Sequence, residues 1–318
     1  MQPLKFLSAG WFSVVMGLAG LALAWHRAVP AMGELAAGIA LVLGAGAALV
    51  FTLLAGALLL RGRRHPGAWS EDLRHPVRHV FVAAMPVSLI LLATLAVALG
   101  AHGALVTAAW GLGVLAQLGV TAWVLGRWWQ PGGLPWPSVT PVLFIPVVGN
   151  VLAPLAGVPL GHAEVSAAAF GVGLLFWPVV LALLVVRLAQ QGPWPERLRP
   201  SAFIVIAPPA VVGLDALQFG APPLLAWMCW GMALFAALWA GQQARRIAGQ
   251  PFGLAHWGMS FPLAALAALT LRLGVPLLGL LLLALASLLV AALALATLRG
   301  LRDGSLLAPE PAAAITPA

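Results

Sequence analysis

The sequence has few charged residues, a single cysteine and no tyrosine. Of its 318 residues, 8% are charged and 62% are hydrophobic, and the mean hydropathy is +1.03. A soluble domain carries about 25% charged residues, so this much apolar surface cannot be hidden in one soluble core. The scarcity of charge therefore excludes an ordinary soluble protein and predicts a chain that crosses a lipid bilayer many times.

The scarcity of metal-binding side chains excludes most metal sites. The one cysteine, Cys229, lies in an apolar run and cannot form an intrachain disulfide, a CxxC pair or a thiolate site. His75 and His79 have the i, i+4 spacing of two ligands on one helix face, but Pro76 lies between them and arginines flank them. We predict no metal ion and no cofactor.

Catalytic motifs are also missing. The chain has no nucleophile elbow, no phosphate-binding loop and no pair of carboxylates inside an apolar segment. We therefore predict no catalytic residue, no enzyme activity and no ATP-driven transport within this chain. The net charge of +8 raises the question of nucleic acid, but no basic patch is interleaved with exposed aromatic residues, so no nucleic-acid partner is predicted.

What the sequence does contain is a series of long apolar runs. A membrane-spanning helix needs about 20 mainly apolar residues, and runs of this kind predict an all-α polytopic membrane protein with ten transmembrane helices. We expect residues 1–303 to form one transmembrane domain and 304–318 to form a disordered cytoplasmic tail. The ten runs lie near 6–25, 34–60, 79–100, 104–126, 139–157, 164–188, 201–219, 223–241, 254–273 and 276–298.

The basic residues support this count. With ten crossings, fourteen of the sixteen lysines and arginines fall on one side of the membrane, and only Arg27 and Arg272 fall on the other. The positive-inside rule makes the basic side cytoplasmic, so both termini are predicted there. The composition and short loops favour a bacterial inner membrane.

Prolines divide the ten helices into two classes. Helices three, five, seven and nine carry prolines well inside their spans, at intervals of about 60 residues, and the sixth is the one even helix with an interior proline, Pro178. Even helices two and ten are runs of Leu, Ala and Val. The first helix has Gly17 and Gly20 instead. Irregular backbone at membrane depth must face protein or a water-filled cavity. We therefore predict five quasi-repeated hairpins, with an inner pore ring of odd helices and an outer ring of even helices. The residues predicted to line the pore or to kink its helices are Gly17, Pro86, Pro146, Pro208, Pro209, Gly258 and Pro262.

Five stretches resemble one known family. They are "WFSVVMGLAGLALAW" (11–25), "HPVRHVFVAAMP" (75–86), "TPVLFIPVVGN" (140–150), "LRPSAFIVIAPPAVVG" (198–213) and "WGMSFPLAALA" (257–267). Together they resemble the TehA-like tellurite-resistance/dicarboxylate transporter family, which is related to the slow anion channels of plant guard cells. The resemblance implies a homotrimer with one pore per subunit, passive conduction of small anions such as chloride and nitrate, and a pore closed by a phenylalanine on the ninth helix.

That phenylalanine falls on Phe261 of this sequence. Pro262 deprives the Gly258 carbonyl of its usual helical partner, and the resulting kink is expected to swing the Phe261 ring toward the axis. A ring in that place would gate the pore by excluding water. Gly17 matches a position where the family keeps the wall thin, so we expect it to lie against this ring.

Two other functions stay open at this stage. A proton-coupled secondary transporter for C4-dicarboxylates or tellurite-like oxyanions would use Asp215, the one acidic residue on a predicted pore helix, as its coupling residue. Asp215 lies near the outer end of helix seven, so a solvated helix-end residue is the alternative. A membrane scaffold without transport is disfavoured by the polar residues on the odd helices.

Overall fold

The computed structural model describes residues 2–308, and the part of the predicted tail at 309–318 lies outside them. Within this range the chain is helical and contains no strand. Among residues 2–308, nine helices are long and apolar enough to cross a membrane, and we assign the tenth predicted crossing to a shorter apolar segment, Pro141–Gly157. We number them α1 (Ala9–Arg27), α2 (Glu34–Arg64), α3 (Arg78–Ala98), α4 (Ala104–Trp128), α5 (Pro141–Gly157), α6 (Ala163–Gln191), α7 (Glu196–Gln218), α8 (Pro223–Gly241), α9 (Leu254–Arg272) and α10 (Pro276–Arg302).

The ten helices form five antiparallel hairpins around a closed ring. Each odd helix packs against the even helix that follows it, and each also packs against its odd neighbours. The ring closes because α9 packs directly on α1. We call the side of the bundle where α1 begins the basic face, since it carries fourteen of the sixteen basic residues, and the other side the opposite face.

Burial separates the two classes of helix as the sequence predicted. In the most apolar window of each helix, 78% of the residues are buried in α1, α7 and α9 and 67% in α3, against 22% or 28% in every even helix. The even helices expose leucines and valines such as Val42, Leu105 and Leu288, which suits an outer ring in contact with lipid. The predicted inner ring of odd helices and outer ring of even helices is confirmed.

The odd helices share an internal change of geometry. Each begins as a 3₁₀-helix on the side of the basic face and then continues as an α-helix, starting at Phe12, Ala84, Phe144, Ala207 and Ser260 respectively. The even helices run as unbroken α-helices. A 3₁₀ stretch within a helix marks a sequence under local constraint, and here the constraint is repeated in every odd helix.

The position of the prolines coincides with this change of geometry. Pro86, Pro146, Pro209 and Pro262 are each the third residue of the α-helical part of their helix. In the first turn of an α-helix the N–H group that proline lacks would have no helical partner, so proline is tolerated there. These prolines therefore stand where the 3₁₀ segment gives way to the α-helical half, in the first turn of that half.

The hairpin turns on the opposite face repeat as well. After α3, α5, α7 and α9 the chain makes the same turn, in which a backbone N–H bonds the carbonyl five residues earlier, as Ala101 does with Ala96. The residue before that donor has a left-handed φ of 73° to 87°, which only glycine adopts without strain. The four glycines are Gly100, Gly161, Gly220 and Gly274.

The end of the described chain folds back on α10. Ser305–Leu307 forms a 3₁₀-helix, and the Leu306 side chain lies against Gly300. The first residues of the predicted disordered tail are therefore ordered on the basic face.

Candidate functional site

A cavity lies inside the ring of odd helices. All five odd helices line it, and no even helix does in residues 2–308. The lining is mainly aliphatic and aromatic, and includes Met16, Phe81, Phe144, Ile204 and Phe261, one from each odd helix. A cavity enclosed by the irregular helices is the natural candidate for a path through the molecule.

The repeated geometry places equivalent residues around this cavity. The second residue of each α-helical half is Ser13, Met85, Ile145, Pro208 or Phe261, and all of these except Met85 line the cavity. Phe261 is the one aromatic residue in this equivalent set. The ring of equivalent positions therefore carries a single bulky, flat side chain.

Phe261 lies against α1 at a glycine. A Cβ atom added to Gly20 would come within 2.6 Å of the Phe261 Cδ2 atom, and Phe261 is 9% exposed. Gly17 lies one turn earlier and faces other atoms, because a Cβ there would lie 2.9 Å from Cε3 of Trp257 and from Cβ of Ser260. The glycine that accommodates the Phe261 ring is thus Gly20, and the expectation that Gly17 does so is wrong.

The turn before Phe261 is held by side-chain hydrogen bonds. The Trp257 indole is 2% exposed and donates to the Thr297 hydroxyl of α10 at 2.9 Å. The Ser260 hydroxyl donates to the Trp257 carbonyl at 2.6 Å. These bonds tie the 3₁₀ turn to α10, and Phe261, the next residue, lines the cavity.

The cavity carries little fixed charge. Among the described residues that line it, none is ionisable. Its two serine hydroxyls are already engaged, because Ser13 donates to the Gly10 carbonyl at 2.7 Å and Ser201 to the Leu198 carbonyl at 2.5 Å. The site therefore offers neither a nucleophile with a base nor a metal-ligand set, and it suits weak, transient contacts with a passing solute.

The broken helix α5 depends on polar residues from α4. Gln117 is fully buried and donates to the carbonyls of Ile145 and Pro146 at 2.9 and 3.1 Å. The Thr121 hydroxyl also donates to the Pro146 carbonyl, at 2.6 Å, and accepts a hydrogen bond from Asn150. The sequence analysis considered the polar residues of the odd helices and missed Gln117 of α4. A lone amide in an apolar helix is a usable signal for such a residue.

The remaining predicted site residues divide into two groups. Pro208, Gly258 and Pro262 line the cavity together with Phe261. Gly17, Pro86, Pro146 and Pro209 do not line it, although each belongs to an odd helix. The proline that faces the cavity on α7 is therefore Pro208, while Pro209 holds the position equivalent to Pro262.

Asp215 is buried inside the bundle. It is 0% exposed, and neither of its carboxyl oxygens has a hydrogen-bond partner within the described part of the chain. It follows Pro208 by seven residues and Val211 by four, so it lies on the cavity-lining face of α7, closer to the opposite face. The alternative of a solvated helix-end residue is wrong.

A buried ion cluster lies at the basic face. Asp72, on the short helix Pro66–Arg74, pairs with Arg61 of α2 at 2.7 Å and with Arg78 of α3 at 3.0 Å. The Asp72 and Arg61 side chains are only 5% and 4% exposed. Arg61 also donates to the Lys5 carbonyl at 2.9 Å. The cluster ties the N-terminus and α2 to the first turn of α3, and the sequence alone did not reveal it.

The histidine pair near this cluster makes backbone contacts. The His75 Nδ1 atom accepts from the N–H groups of Val77 and Arg78, each at 3.1 Å. The His79 Nδ1 atom lies 2.9 Å from the His75 carbonyl oxygen. These contacts account for the i, i+4 spacing as part of the turn that begins α3.

Known proteins resemble this chain over most of its length. The family model SLAC1, described as voltage-dependent anion channel, matches residues 7–299. The S-type anion channels SLAH2 and SLAH3 of Arabidopsis thaliana are each 26% identical, over 204 and 208 residues, which is 64% of this chain. The tellurite resistance protein TehA homolog of Haemophilus influenzae is 25% identical over 276 residues, or 82% of this chain. The matches span 39% and 32% of the two plant relatives' length and 79% of the bacterial relative's.

Proposed function

Because the chain belongs to the SLAC1 family of voltage-dependent anion channels, we propose that it conducts small inorganic anions, such as chloride and nitrate, passively through the ring of odd helices. The resemblance seen in the sequence motifs is confirmed by this match and by the TehA homolog. The observation that carries the proposal is the Phe261 ring, which is the one aromatic side chain among the five equivalent positions, lies against Gly20 and lines a cavity formed by all five odd helices.

Phe261 acts as the gate in this proposal. Its ring fills space that Gly20 leaves open on α1, and the surrounding lining is apolar. A hydrophobic constriction of this kind blocks ions by excluding their water. Displacing or removing the ring would join the cavity to the part of the bundle nearer the opposite face.

The uncharged lining supports conduction in preference to tight binding. An ion must bind favourably enough to enter a pore and weakly enough to leave it. Since no ionisable residue among those described lines the cavity, an anion there would meet only backbone dipoles and weakly polar atoms. Such a lining favours passage and gives no catalytic chemistry, which agrees with a transport protein.

We infer the cellular location of the protein from its surface and from these relatives. The apolar outer surface and the bacterial relative support a multi-pass protein of a bacterial inner membrane. We place the basic face, and with it both termini, in the cytoplasm, because fourteen of sixteen basic residues lie there. We also propose a homotrimer with one pore in each subunit.

The proposal is tested by the ion selectivity of the Phe261→Ala variant. The purified protein is reconstituted in a planar bilayer, and the reversal potential is measured across a tenfold chloride gradient. A passive anion pore gives a reversal potential of about 59 mV, with the sign that chloride requires. A value near zero, or one of the opposite sign, would contradict anion conduction.

A second function, proton-coupled transport of C4-dicarboxylates or tellurite-like oxyanions, is favoured by Asp215. Buried ionisable residues within membrane helices often mark proton pathways, and this carboxyl is fully buried and lacks a hydrogen-bond partner among the described residues. Coupled transport predicts anion uptake that follows a pH gradient and stops in the Asp215→Asn variant. Uptake that ignores the pH gradient, and is unchanged in this variant, would contradict coupling and leave the channel.

A further inference from the structure

Two arginines lie on the side of the membrane where the positive-inside rule expects few basic residues. Arg27 and Arg272 are the only basic residues on the opposite face, while the other fourteen lie on the basic face. Arg27 is the last residue of α1, and Arg272 is the last residue of α9. These two helices are neighbours in the inner ring, so Arg27 and Arg272 lie at adjacent helix ends.

Both arginines lie on the helix faces that meet at the gate. Arg27 follows Gly20 by seven residues, and Arg272 follows Phe261 by eleven, in unbroken α-helix. Steps of seven and eleven residues return to nearly the same face of an α-helix. At 1.5 Å per residue, the two α-carbons lie about 10 and 16 Å beyond those of Gly20 and Phe261 along their helices.

The two arginines are exposed residues that lack an acidic partner. They stand at the ends of two helices that pack against each other, and both residues belong to the exposed class. Neither arginine forms an ion pair within residues 2–308. Two like charges at neighbouring helix ends without a counter-ion repel each other, and an anion placed between them would relieve this repulsion.

We propose that Arg27 and Arg272 form a weak binding site for small free anions at the mouth of the pore on the opposite face. The site rests on the proposed conduction function and adds a recruiting step to it, because it raises the anion concentration at the end of the path that Phe261 closes. A helix C-terminus also favours a positive side chain, but that effect acts on each helix separately and does not require the two charges to be neighbours.

The expected effect follows from the charge and the ionic strength. Two unit charges about 10 Å from the entering ion raise its local concentration about threefold in water at about 10 mM salt, where the screening length is about 30 Å. At about 1 M salt the screening length falls to about 3 Å and the effect disappears. The site should therefore act on anion entry from the opposite face at low salt only.

The test compares charge-removing and charge-keeping variants in the Phe261→Ala background. Voltage-clamp currents are recorded in cells, where all copies share one orientation. We expect Arg27→Gln with Arg272→Gln to reduce the current of anions entering from the opposite face about threefold at low salt. Arg27→Lys with Arg272→Lys should keep most of the current. The matched control, Arg299→Gln with Arg302→Gln, removes two charges from the basic face and should leave this current unchanged.

Chloride NMR line broadening on the protein in lipid nanodiscs tests binding without conduction. The broadening should fall in the double Gln variant and persist in the double Lys variant. This readout separates the two claims: absence of current in every variant would refute the proposed function, while the broadening would still decide the site. The site would be overturned if the broadening and the low-salt current were the same in the parent and in the double Gln variant. It would also be overturned if broadening appeared only after the lipid phosphates were diluted with uncharged detergent, because the arginines would then bind lipid headgroups.

Discussion

Adding one methyl group at Gly20 tests the contact between α1 and the gate. In Gly20→Ala the new Cβ would lie 2.6 Å from Phe261 Cδ2 but 3.5 Å from Phe261 Cα. Carbon atoms pack at about 3.5–4.0 Å, so the ring must retreat by about 1 Å while the helix backbones need not move. The substitution therefore acts on the ring and not on the spacing of α1 and α9.

The Phe261 ring can respond in two ways, one of which lowers the stability of the protein while the other raises the current. A ring that stays in place would strain the structure by about 1–3 kcal/mol, as overpacking does in cores. A ring that leaves its position against Gly20 would open the path. We expect the second to dominate at the pore, with a voltage-clamp current above that of the parent and below that of Phe261→Ala, because a closed pore can only gain current.

A double variant and a distant glycine complete this test. Phe261→Ala removes the atoms that the new methyl group meets, so Gly20→Ala should cost stability in the parent but little in the Phe261→Ala background. Gly46→Ala is the control, since a Cβ there meets no atom within 4 Å. If Gly20→Ala leaves the current at the parent level in a normally inserted protein, the ring does not occlude the path at this place.

Two further predictions concern stability, measured by thermal unfolding of the purified protein. Asp72→Asn leaves the buried Arg61 and its neighbour Arg78 without their counter-ion and should destabilise the protein by about 3–5 kcal/mol. The control Glu71→Gln breaks the exposed pair with Lys5 and should cost less than about 1 kcal/mol. Equal losses of stability in the two variants would contradict the role of the cluster. Gln117→Met keeps the shape of the side chain but removes the donor to two α5 carbonyls, and should cost about 1–3 kcal/mol; an unchanged unfolding temperature would show that α5 does not depend on α4.

The architecture could be predicted because hydropathy and charge are properties of whole segments. Ten apolar runs and a one-sided distribution of arginines determine the number of crossings and their direction. The spacing of the prolines then separated the inner helices from the outer ones, and burial in the structure agrees with that division. These signals are spread over many residues, so errors at single helix ends do not affect them.

Side-chain contacts could not be predicted because they depend on how two helices cross. Gly17 and Gly20 lie one turn apart on α1, and only the packing of α9 decides that Gly20 meets the Phe261 ring. The burial of Asp215 likewise depends on which face α7 presents to its neighbours. A proline signals irregular backbone from sequence, but whether it kinks an α-helix or begins one is set by the preceding 3₁₀ turn.

The central claim is that Phe261 closes an anion path through the inner ring. The most direct measurement is the voltage-clamp current in chloride for the parent, Phe261→Ala and Phe81→Ala, the last removing another phenylalanine of the same cavity. The account predicts a large rise in current for Phe261→Ala and little change for Phe81→Ala. Little current in Phe261→Ala, or an equal rise in both variants, would contradict it.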